Sequence, residues 1–417
     1  MLQKKQLKKT IKYYLYFLRW VAVAIVVGAV GGVIGSVFHH CIDEVTHLRG
    51  EFTWLIYLLP LAGLFIVFIY RKAGLENDPG TNWVFISTQT SDTVPARMLP
   101  LIFVSTVLTH LTGGSSGREG AALQVGGSLG SILGKALKFS HEDINVTILC
   151  GMSAVFAAMF GTPVAAAVFS MEVVVVGAIQ YAALVPCIVA AVFAKYIAGL
   201  MGSKETIYAV HLDFAITPEL IVQVIVLGIL CGILGMIFCS LMHKTSHILA
   251  HLMPNPYVRA FVGGCIIIIF SLLLGTTDYN GAGTHMIEKS FVTQVAWYAF
   301  IIKMLFTAIT IGSGFKGGEI VPTLFVGATF GCVVGPLLGL PSSLAAAVSM
   351  IALFCGVVNA PIASIFLGVE MFGTSDIVLF AIVCAISYVC SGYYSLYSSQ
   401  TIVQNKLQQQ DIFKKAD

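Results

Sequence analysis

The stretch Ser116-Gly117-Arg118-Glu119-Gly120 is followed by glycines at positions 126, 130 and 134. A related stretch occurs in the second half of the chain, Ser313-Gly314-Phe315-Lys316-Gly317-Gly318-Glu319. It is followed by glycines at 327, 331 and 335, each 201 residues after its counterpart. Glycine at every fourth position lets membrane helices approach closely. The two stretches therefore indicate an internal duplication built around tightly packed helices.

A second set of residues supports the duplication. Pro163, Ala165 and Glu172 recur 198 residues later as Pro361, Ala363 and Glu370. Many transport proteins consist of two such repeats, with the substrate site where broken helices meet. We predict a basic tail over residues 1–12, a first membrane repeat over 13–205, a second over 206–402 and a final tail over 403–417.

The composition is that of a membrane protein. Hydrophobic residues make up 57% of the chain and charged residues 10%, whereas a soluble domain carries about 25% charged residues. The uncharged runs 20–38, 52–70 and 220–242 each reach the ~20 residues that cross a bilayer core of about 30 Å. Residues 320–369 contain no charged side chain and no histidine. The sequence therefore predicts an all-α, polytopic protein of the cell membrane.

The basic residues predict the orientation and exclude one class of partner. Lysines and arginines cluster before the first apolar run and again after the last: Lys4, Lys5, Lys8, Lys9, Lys12, Arg19, Lys406, Lys414 and Lys415. By the positive-inside rule, both termini are expected in the cytoplasm. The first apolar run lacks the small-residue cleavage site of a secretory signal peptide. A net charge of +3 gives no support for nucleic-acid binding.

Cysteine and histidine patterns do not indicate a metal or redox site. The ten cysteines include no C-x-x-C pair, and most of them lie in apolar runs, as expected for small core residues. His243, His247 and His251 share one helical face, which does not surround a tetrahedral metal. P-loop, nucleophile-elbow and catalytic-triad spacings are absent from the sequence. We predict neither a cofactor nor an enzymatic activity.

Four prolines interrupt or begin apolar segments: Pro100, Pro163, Pro322 and Pro361. Irregular backbone at membrane depth is tolerated only where protein buries it or where it lines a cavity. The breaks therefore predict re-entrant half-helices whose N-termini meet inside the protein. Helix N-termini carry partial positive charge and free N–H groups, so their convergence predicts an anion site without a fixed cation.

Glu119 is placed at the start of an apolar helix beside this expected anion site. Ionisable residues inside a membrane are functional candidates by default. A charged Glu119 would compete with the anion and a protonated one would vacate the site, which couples a proton to anion movement. From this motif alone, a glutamate that merely balances the helix dipole is the alternative.

Several motifs together resemble the CLC superfamily of chloride channels and transporters. They are Gly117-Arg118-Glu119-Gly120, Gly161-Thr162-Pro163-Val164-Ala165, Gly317-Gly318-Glu319-Ile320-Val321-Pro322, Asn359-Ala360-Pro361 and residues 391–397. The resemblance covers essentially the whole chain. It implies two inverted structural repeats with re-entrant half-helices, a homodimer in the lipid bilayer, and one ion pathway per subunit. It also implies that Glu119 is the gating and proton-coupling glutamate.

Departures from the chloride-type pattern point to the fluoride/proton branch. Ala121 stands where chloride-type members have proline, and Glu319 resembles the second essential acid of fluoride-type members. Val173 occupies the place of the inner proton glutamate of chloride/proton exchangers. Thr81 weakens the fluoride assignment, because fluoride-type members often have methionine there, whereas Asn82 is more like the fluoride branch.

The resemblance gives a full set of site residues. Glu119 and Glu319 are the expected proton carriers. The expected anion-binding residues are Thr81, Asn82, Gly117, Arg118, Gly120, Gly318, Ile320, Val321 and Tyr397. Two alternatives stay open at this point: Glu319 as a structural acid paired with Lys316, and Tyr397 as an aromatic at the membrane interface.

The function implied is export of cytoplasmic fluoride in exchange for protons, driven by the inward proton gradient. The leading alternative is a chloride/proton exchanger, or a voltage-gated-type chloride channel, with the same fold. A binding or sensor protein is a different class of function, and the sequence shows no soluble partner domain for it. The expected partners are fluoride, protons, the lipid bilayer and, in the alternative, chloride.

Overall fold

The computed structural model describes residues 2–90, 92–208, 210, 214–408 and 410–417, with the side chains of residues 2–5 and 7 outside the description. Lys4 and Lys5 of the basic cluster therefore lie outside the described side chains. Sixteen α-helices are found in the described part. They are α1 (Leu2–Glu51), α2 (Leu59–Lys72), α3 (Thr81–Gln89), α4 (Met98–Leu111), α5 (Glu119–Ala136), α6 (His141–Phe160), α7 (Pro163–Glu172), α8 (Leu184–Leu200), α9 (Pro218–Leu252), α10 (Pro256–Leu274), α11 (Thr284–Val292), α12 (Ala299–Gly312), α13 (Ile320–Val334), α14 (Ser342–Val358), α15 (Pro361–Phe372) and α16 (Ile377–Cys390).

The helices fall into two length classes. Within the described residues, seven helical segments are long and apolar enough to cross a membrane. Six apolar helices of 10–17 residues are too short to cross it unaided: α4, α7, α12, α14, α15 and α16. Helix α7 begins at Pro163 and α15 at Pro361, with the proline in the first turn. The prolines thus begin short helices as predicted, and the polytopic α-helical class is confirmed.

A small sheet interrupts the all-helical pattern. Strands β1 (Val175–Val176), β2 (Thr401–Gln404) and β3 (Asp411–Lys415) form it, with β1 parallel to β2 and β2 antiparallel to β3. It binds the C-terminal segment to the chain that follows α7. Helix α1 passes through residues 12 and 13 without a break. The tail and repeat boundaries therefore stay predictions.

The two repeats contact each other symmetrically at their matching loops. Gly117 N–H donates to the Gly318 carbonyl at 2.6 Å, and Gly318 N–H donates back to Gly117 at 2.7 Å. The two residues form an isolated antiparallel bridge between the loops that precede α5 and α13. Because each loop supplies the same donor and acceptor, the loops are related by an approximate two-fold axis.

Glu172 and Glu370 give a second reciprocal contact. The Glu172 carboxylate accepts hydrogen bonds from Ile362 N–H at 3.1 Å and Ala363 N–H at 2.8 Å, at the start of α15. The Glu370 carboxylate accepts the equivalent bonds from Val164 N–H and Ala165 N–H at the start of α7. Each glutamate therefore satisfies the free N–H groups of the other repeat's half-helix.

Glycines place α5 against α6 and α13 against α14. A β-carbon on Gly130 would overlap the carbonyl oxygen of Thr147, and one on Gly331 would overlap that of Ala345. The backbones are therefore in direct contact, as the four-residue glycine spacing predicts. All ten cysteines are free, and seven are buried while Cys41, Cys265 and Cys390 are half-buried.

Replacing Gly130 with alanine is expected to lower thermal stability. The added methyl group has no space against Thr147, and overpacking of this kind typically costs 1–3 kcal/mol. Gly199→Ala is the matched control, since no atom lies within 4 Å of its β-carbon position. Thermal unfolding of both purified variants in detergent measures the difference. Equal midpoints for the two variants would contradict the close helix contact.

The candidate ion pathway

A cavity lies beside the starts of α3 and α13, and α5 reaches it in its second turn. Helix α3 begins at Thr81, α5 at Glu119 and α13 at Ile320. The cavity has a volume of about 720 Å³ and is lined by Thr81, Gln124, Lys316, Glu319 and Tyr397 among others. The first-turn N–H groups of each helix have no acceptor within that helix. The anion site expected at these N–H groups stays a prediction.

Glycine allows the α5 and α13 loops to come this close. A β-carbon on Gly120 would lie 2.7 Å from Gly318 Cα, so a larger residue at 120 would separate the two N-termini. Gly80 precedes α3 with φ 65° and ψ −134°, a backbone conformation that other residues rarely adopt. The glycines are therefore part of the site's geometry.

The Glu119 carboxylate lies at the start of α5. Its Oε2 accepts a hydrogen bond from Arg118 N–H at 3.0 Å, and its Oε1 lies 3.4 Å from Arg118 Nε. A β-carbon on Gly117 would lie 3.0 Å from both Glu119 Oε2 and Pro322 Cδ. The carboxylate therefore sits between the starts of α5 and α13. Its side chain is 2% exposed, and an anion that takes this place must displace it.

Arg118 connects the buried glutamate to a more exposed acid. Arg118 Nη1 contacts Asp43 Oδ1 at 2.5 Å, and Asp43 Oδ2 contacts His39 Nε2 at 3.0 Å. The Asp43 side chain is 57% exposed while that of Arg118 is 13% exposed. Arg118 therefore binds the Glu119 carboxylate with its backbone N–H group, and its guanidinium fixes the loop on α1.

Glu319 lies at the end of the α13 loop, directly before the helix. A β-carbon on Gly120 would lie 3.3 Å from Glu319 Oε2. This oxygen is buried and has no hydrogen-bond partner among the described residues. The Glu119 carboxylate thus lies beside Gly117 and the Glu319 carboxylate beside Gly120, at the two ends of one turn. Glu319 also borders the cavity.

Lys316 forms its ion pair with Asp78 and not with Glu319. Its Nζ contacts Asp78 Oδ2 at 2.8 Å and lies 4.3 Å from the centre of the Tyr70 ring. The structural pair of Glu319 with Lys316 is therefore not formed. Because Asp78 follows α2, far from residue 316 in sequence, this partner could not be identified from spacing.

The Thr81 hydroxyl is engaged with α5. It contacts the Gly120 carbonyl at 3.4 Å and accepts a hydrogen bond from Gln124 Nε2 at 3.2 Å. Gln124 was not predicted as a site residue, although it lies four positions after Gly120 and hence on the same face of α5. That spacing was the available signal.

Asn82 connects α3 to the C-terminal segment. Its Oδ1 accepts hydrogen bonds from Ser399 N–H at 3.0 Å and Ser399 Oγ at 2.7 Å. Its Nδ2 contacts the Pro79 carbonyl at 3.4 Å. These contacts hold the segment that carries Tyr397 against the start of α3.

Tyr397 is a core residue of the cavity wall. It is 1% exposed, and its ring packs edge-on against Phe85 with centroids 4.8 Å apart. The hydroxyl is buried and has no partner among the described residues. Full burial excludes the interfacial-aromatic alternative.

The predicted backbone donors divide into two groups. The N–H groups of Gly117 and Gly318 bond to each other's carbonyl oxygens and hold the loops together. Ile320 and Val321 form the first turn of α13, where N–H groups lack helical acceptors. The backbone N–H groups near Glu119 that are not used in this loop pair are therefore Arg118 N–H and those at the starts of α5 and α13.

Comparison with known sequences identifies the family. A family model described as voltage gated chloride channel matches residues 84–392. A chloride/fluoride channel protein from Pseudomonas syringae pv. tomato is 35% identical over 398 residues, which are 94% of this chain and 88% of that protein.

Solved structures of similar proteins support the same family and fold. The crystal structure of a CLC-type fluoride/proton antiporter matches with a TM-score of 0.90 and 32% identity, over 93% of this chain and 99% of that one. A slow cyanobacterial Cl⁻/H⁺ antiporter matches with a TM-score of 0.77 and 23% identity, over 89% and 94% of the two chains. The second likeness concerns the fold alone. The predicted fold is confirmed, and the chain belongs to the CLC family of multi-pass membrane chloride channels and transporters.

Proposed function

We propose that this protein exports cytoplasmic fluoride in exchange for protons. The observation that carries the proposal is the buried carboxylate of Glu319, which has an oxygen without a hydrogen-bond partner among the described residues. An unpaired carboxylate beside an anion pathway is unfavourable when charged. In the protonated state it becomes a hydrogen-bond donor to the ion.

Glu119 supplies the gate. Its charged carboxylate fills the position between the α5 and α13 N-termini and is held by Arg118 N–H. Protonation removes the attraction to these donors, so the side chain leaves and fluoride enters. When the proton departs, the carboxylate returns and expels the ion. One side chain thus alternates between binding a proton and replacing the anion.

Glu319 continues the proton route toward the cavity. It lies against Gly120, on the cavity side of the turn that also carries Glu119. Fluoride is small, strongly hydrated and a strong hydrogen-bond acceptor. Protonated Glu319, the Tyr397 hydroxyl and the first-turn N–H groups of α13 can replace part of its hydration shell. The proton then passes from Glu319 into the cavity and the fluoride toward Glu119.

The relatives favour fluoride over chloride as the exported ion. The fluoride/proton antiporter is 32% identical to this chain and covers nearly its full length. The curated relative from Pseudomonas syringae is named for chloride and fluoride together. Val173 is an apolar residue at the position where the resemblance places the inner proton glutamate of chloride exchangers. Val173 cannot carry a proton, so we assign the inner proton step to Glu319.

We infer the orientation and the assembly from the charge distribution and the family. The basic start of α1 supports a cytoplasmic N-terminus by the positive-inside rule. The cavity is lined by Arg71 at the C-terminal end of α2, the helix that returns across the membrane after α1. The cavity therefore faces the cytoplasm, and fluoride enters from that side. We place two copies of the chain in the membrane, each with its own pathway.

Proteoliposomes loaded with fluoride test the proposal directly. An outward fluoride gradient is expected to drive proton uptake into the liposomes even against an outward proton gradient. A fluoride electrode and a pH electrode record the two fluxes. Chloride at the same gradient should give at least tenfold weaker coupling. Equal or stronger coupling with chloride would refute the fluoride assignment.

A chloride/proton exchanger is the second candidate. The Thr81 hydroxyl favours it, because a small hydroxyl at this loop resembles the chloride-type pattern. The same liposome experiment separates the two candidates. Passive chloride flux without proton uptake would indicate a channel.

A further inference from the structure

We propose that Gln124 is an anion ligand of the pathway and that its carboxamide sets the fluoride affinity. This inference rests on the proposed function and names a further residue of the same pathway. Gln124 is 3% exposed and lines the cavity beside Thr81 and Glu319. Its Oε1 is buried and has no hydrogen-bond partner in the described part of the chain.

The amide makes only part of the hydrogen bonds it is able to make. A primary amide offers two donors and one acceptor with two lone pairs. Gln124 Nε2 donates to Thr81 Oγ1 at 3.2 Å, and Thr81 Oγ1 in turn contacts the Gly120 carbonyl at the long distance of 3.4 Å. The unpartnered Oε1 leaves a buried acceptor without a hydrogen bond, which is unfavourable. Buried polar groups nearly always have a partner, so an exception beside a cavity points to a ligand of the cavity.

Turning the amide over lets the Thr81 hydroxyl donate to Gln124 Oε1, and the long contact to Gly120 is given up. The Nε2 group then takes the place of the unpartnered oxygen. Its two hydrogens lack a partner in that state, and an anion is able to accept from them. The side chain keeps the same outline in both arrangements, because an amide oxygen and an amide nitrogen occupy similar volumes. The pair Thr81–Gln124 is therefore a two-state hydrogen-bond switch with one state suited to an anion.

The position of Gln124 matches that role. It lies one helical turn from Gly120, and Glu319 Oε2 lies 3.3 Å from the β-carbon position of Gly120. Residues four apart on a helix have β-carbons about 5–6 Å apart. An ion between Glu319 and Gln124 would thus accept from a protonated carboxyl on one side and an amide on the other. A neutral amide donates without adding charge, which suits release of the ion to the next site.

The test compares Gln124→Met with Gln89→Met in proteoliposomes. Methionine has nearly the length of glutamine and no donor, so the apparent KM for fluoride should rise at least tenfold with kcat changed less than threefold. Gln89 is the matched control, since its amide bonds to the Val174 carbonyl and to Thr401 outside the cavity. Its variant should keep the wild-type KM within twofold. Fluoride titration calorimetry on the purified proteins should show the same order of affinities.

A double-mutant cycle with Thr81→Val separates ligation from packing. If the hydroxyl orients the amide, the factor by which Gln124→Met raises KM should be at least three times smaller in the Thr81→Val background than in the wild type. An unchanged KM for Gln124→Met, or equal effects in both backgrounds, would overturn the inference while the wild type still exchanges fluoride for protons. If the wild type carries only chloride, the proposed function fails on its own, and the same KM series with chloride tests Gln124 as an anion ligand.

Discussion

Replacing Glu119 with glutamine is expected to abolish proton uptake, lowering it at least a hundredfold to the level of protein-free liposomes. Glutamine has the shape of the protonated glutamate but cannot bind or release a proton. The carboxylate lies between the starts of α5 and α13 and is held by Arg118 N–H at 3.0 Å. Without a charge at this position, the side chain no longer competes with the anion. Any fluoride flux that remains should be uncoupled from protons.

The measurement records proton and fluoride fluxes together under an outward fluoride gradient. Glu44→Gln is the control, because Glu44 is an exposed acid on α1 outside the pathway. It should retain both fluxes within twofold of wild type. Proton-coupled fluoride transport in Glu119→Gln would show that another group carries the proton, and the gating scheme would have to be abandoned.

Features that depend on local pattern were predictable from the sequence. Apolar run length identified the membrane helices, and the proline positions located the starts of α7 and α15. The repeat offset related Gly117 to Gly318, but the contact between them was visible only in the structure. The N–H group of each glycine donates to the carbonyl oxygen of the other, so these two residues hold the loops together.

Features that depend on contacts between distant segments were not predictable. The partner of Lys316 is Asp78, 238 residues away. Asn82 bonds to Ser399, which connects the start of α3 to the C-terminal segment. The strand Val175–Val176 pairs with Thr401–Ile402, and no alternating pattern marks two residues as a strand. Such pairings are set by tertiary packing, which a single sequence does not record.

The contacts of Glu172 and Glu370 could be identified only from the three-dimensional structure. Both are acids in apolar surroundings, and such residues are functional candidates inside a membrane. The structure gives each of them two backbone N–H donors on the opposite half-helix. The carboxyl group of each glutamate therefore connects one repeat to the other. Glu119 is held mainly by its own loop and Glu319 has an oxygen without a partner among the described residues, which is why we propose these two acids as the proton carriers.

Replacing Glu319 separates the two roles proposed for its carboxyl group, which are hydrogen-bond donation to fluoride and proton transfer. Glu319→Gln keeps a hydrogen-bond donor beside Gly120 but cannot carry a proton. Glu319→Leu removes the donor and the proton together. We expect both variants to lower coupled exchange at least fiftyfold. Fluoride binding measured by calorimetry should remain within about threefold of wild type in Glu319→Gln and fall at least tenfold in Glu319→Leu.

Glu288→Gln serves as the control, since Glu288 is an exposed acid on α11. Coupled exchange at the wild-type rate in Glu319→Gln would place Glu319 outside the proton route. The unpartnered oxygen that now supports fluoride export would then be a structural cost of the α13 loop, and selectivity would have to come from Thr81 and Tyr397. Loss of exchange with retained binding would instead show that the same carboxyl group passes the proton onward after it has helped to hold the ion. That result would explain why an acid is kept at the start of α13, where a neutral donor alone would suffice for binding.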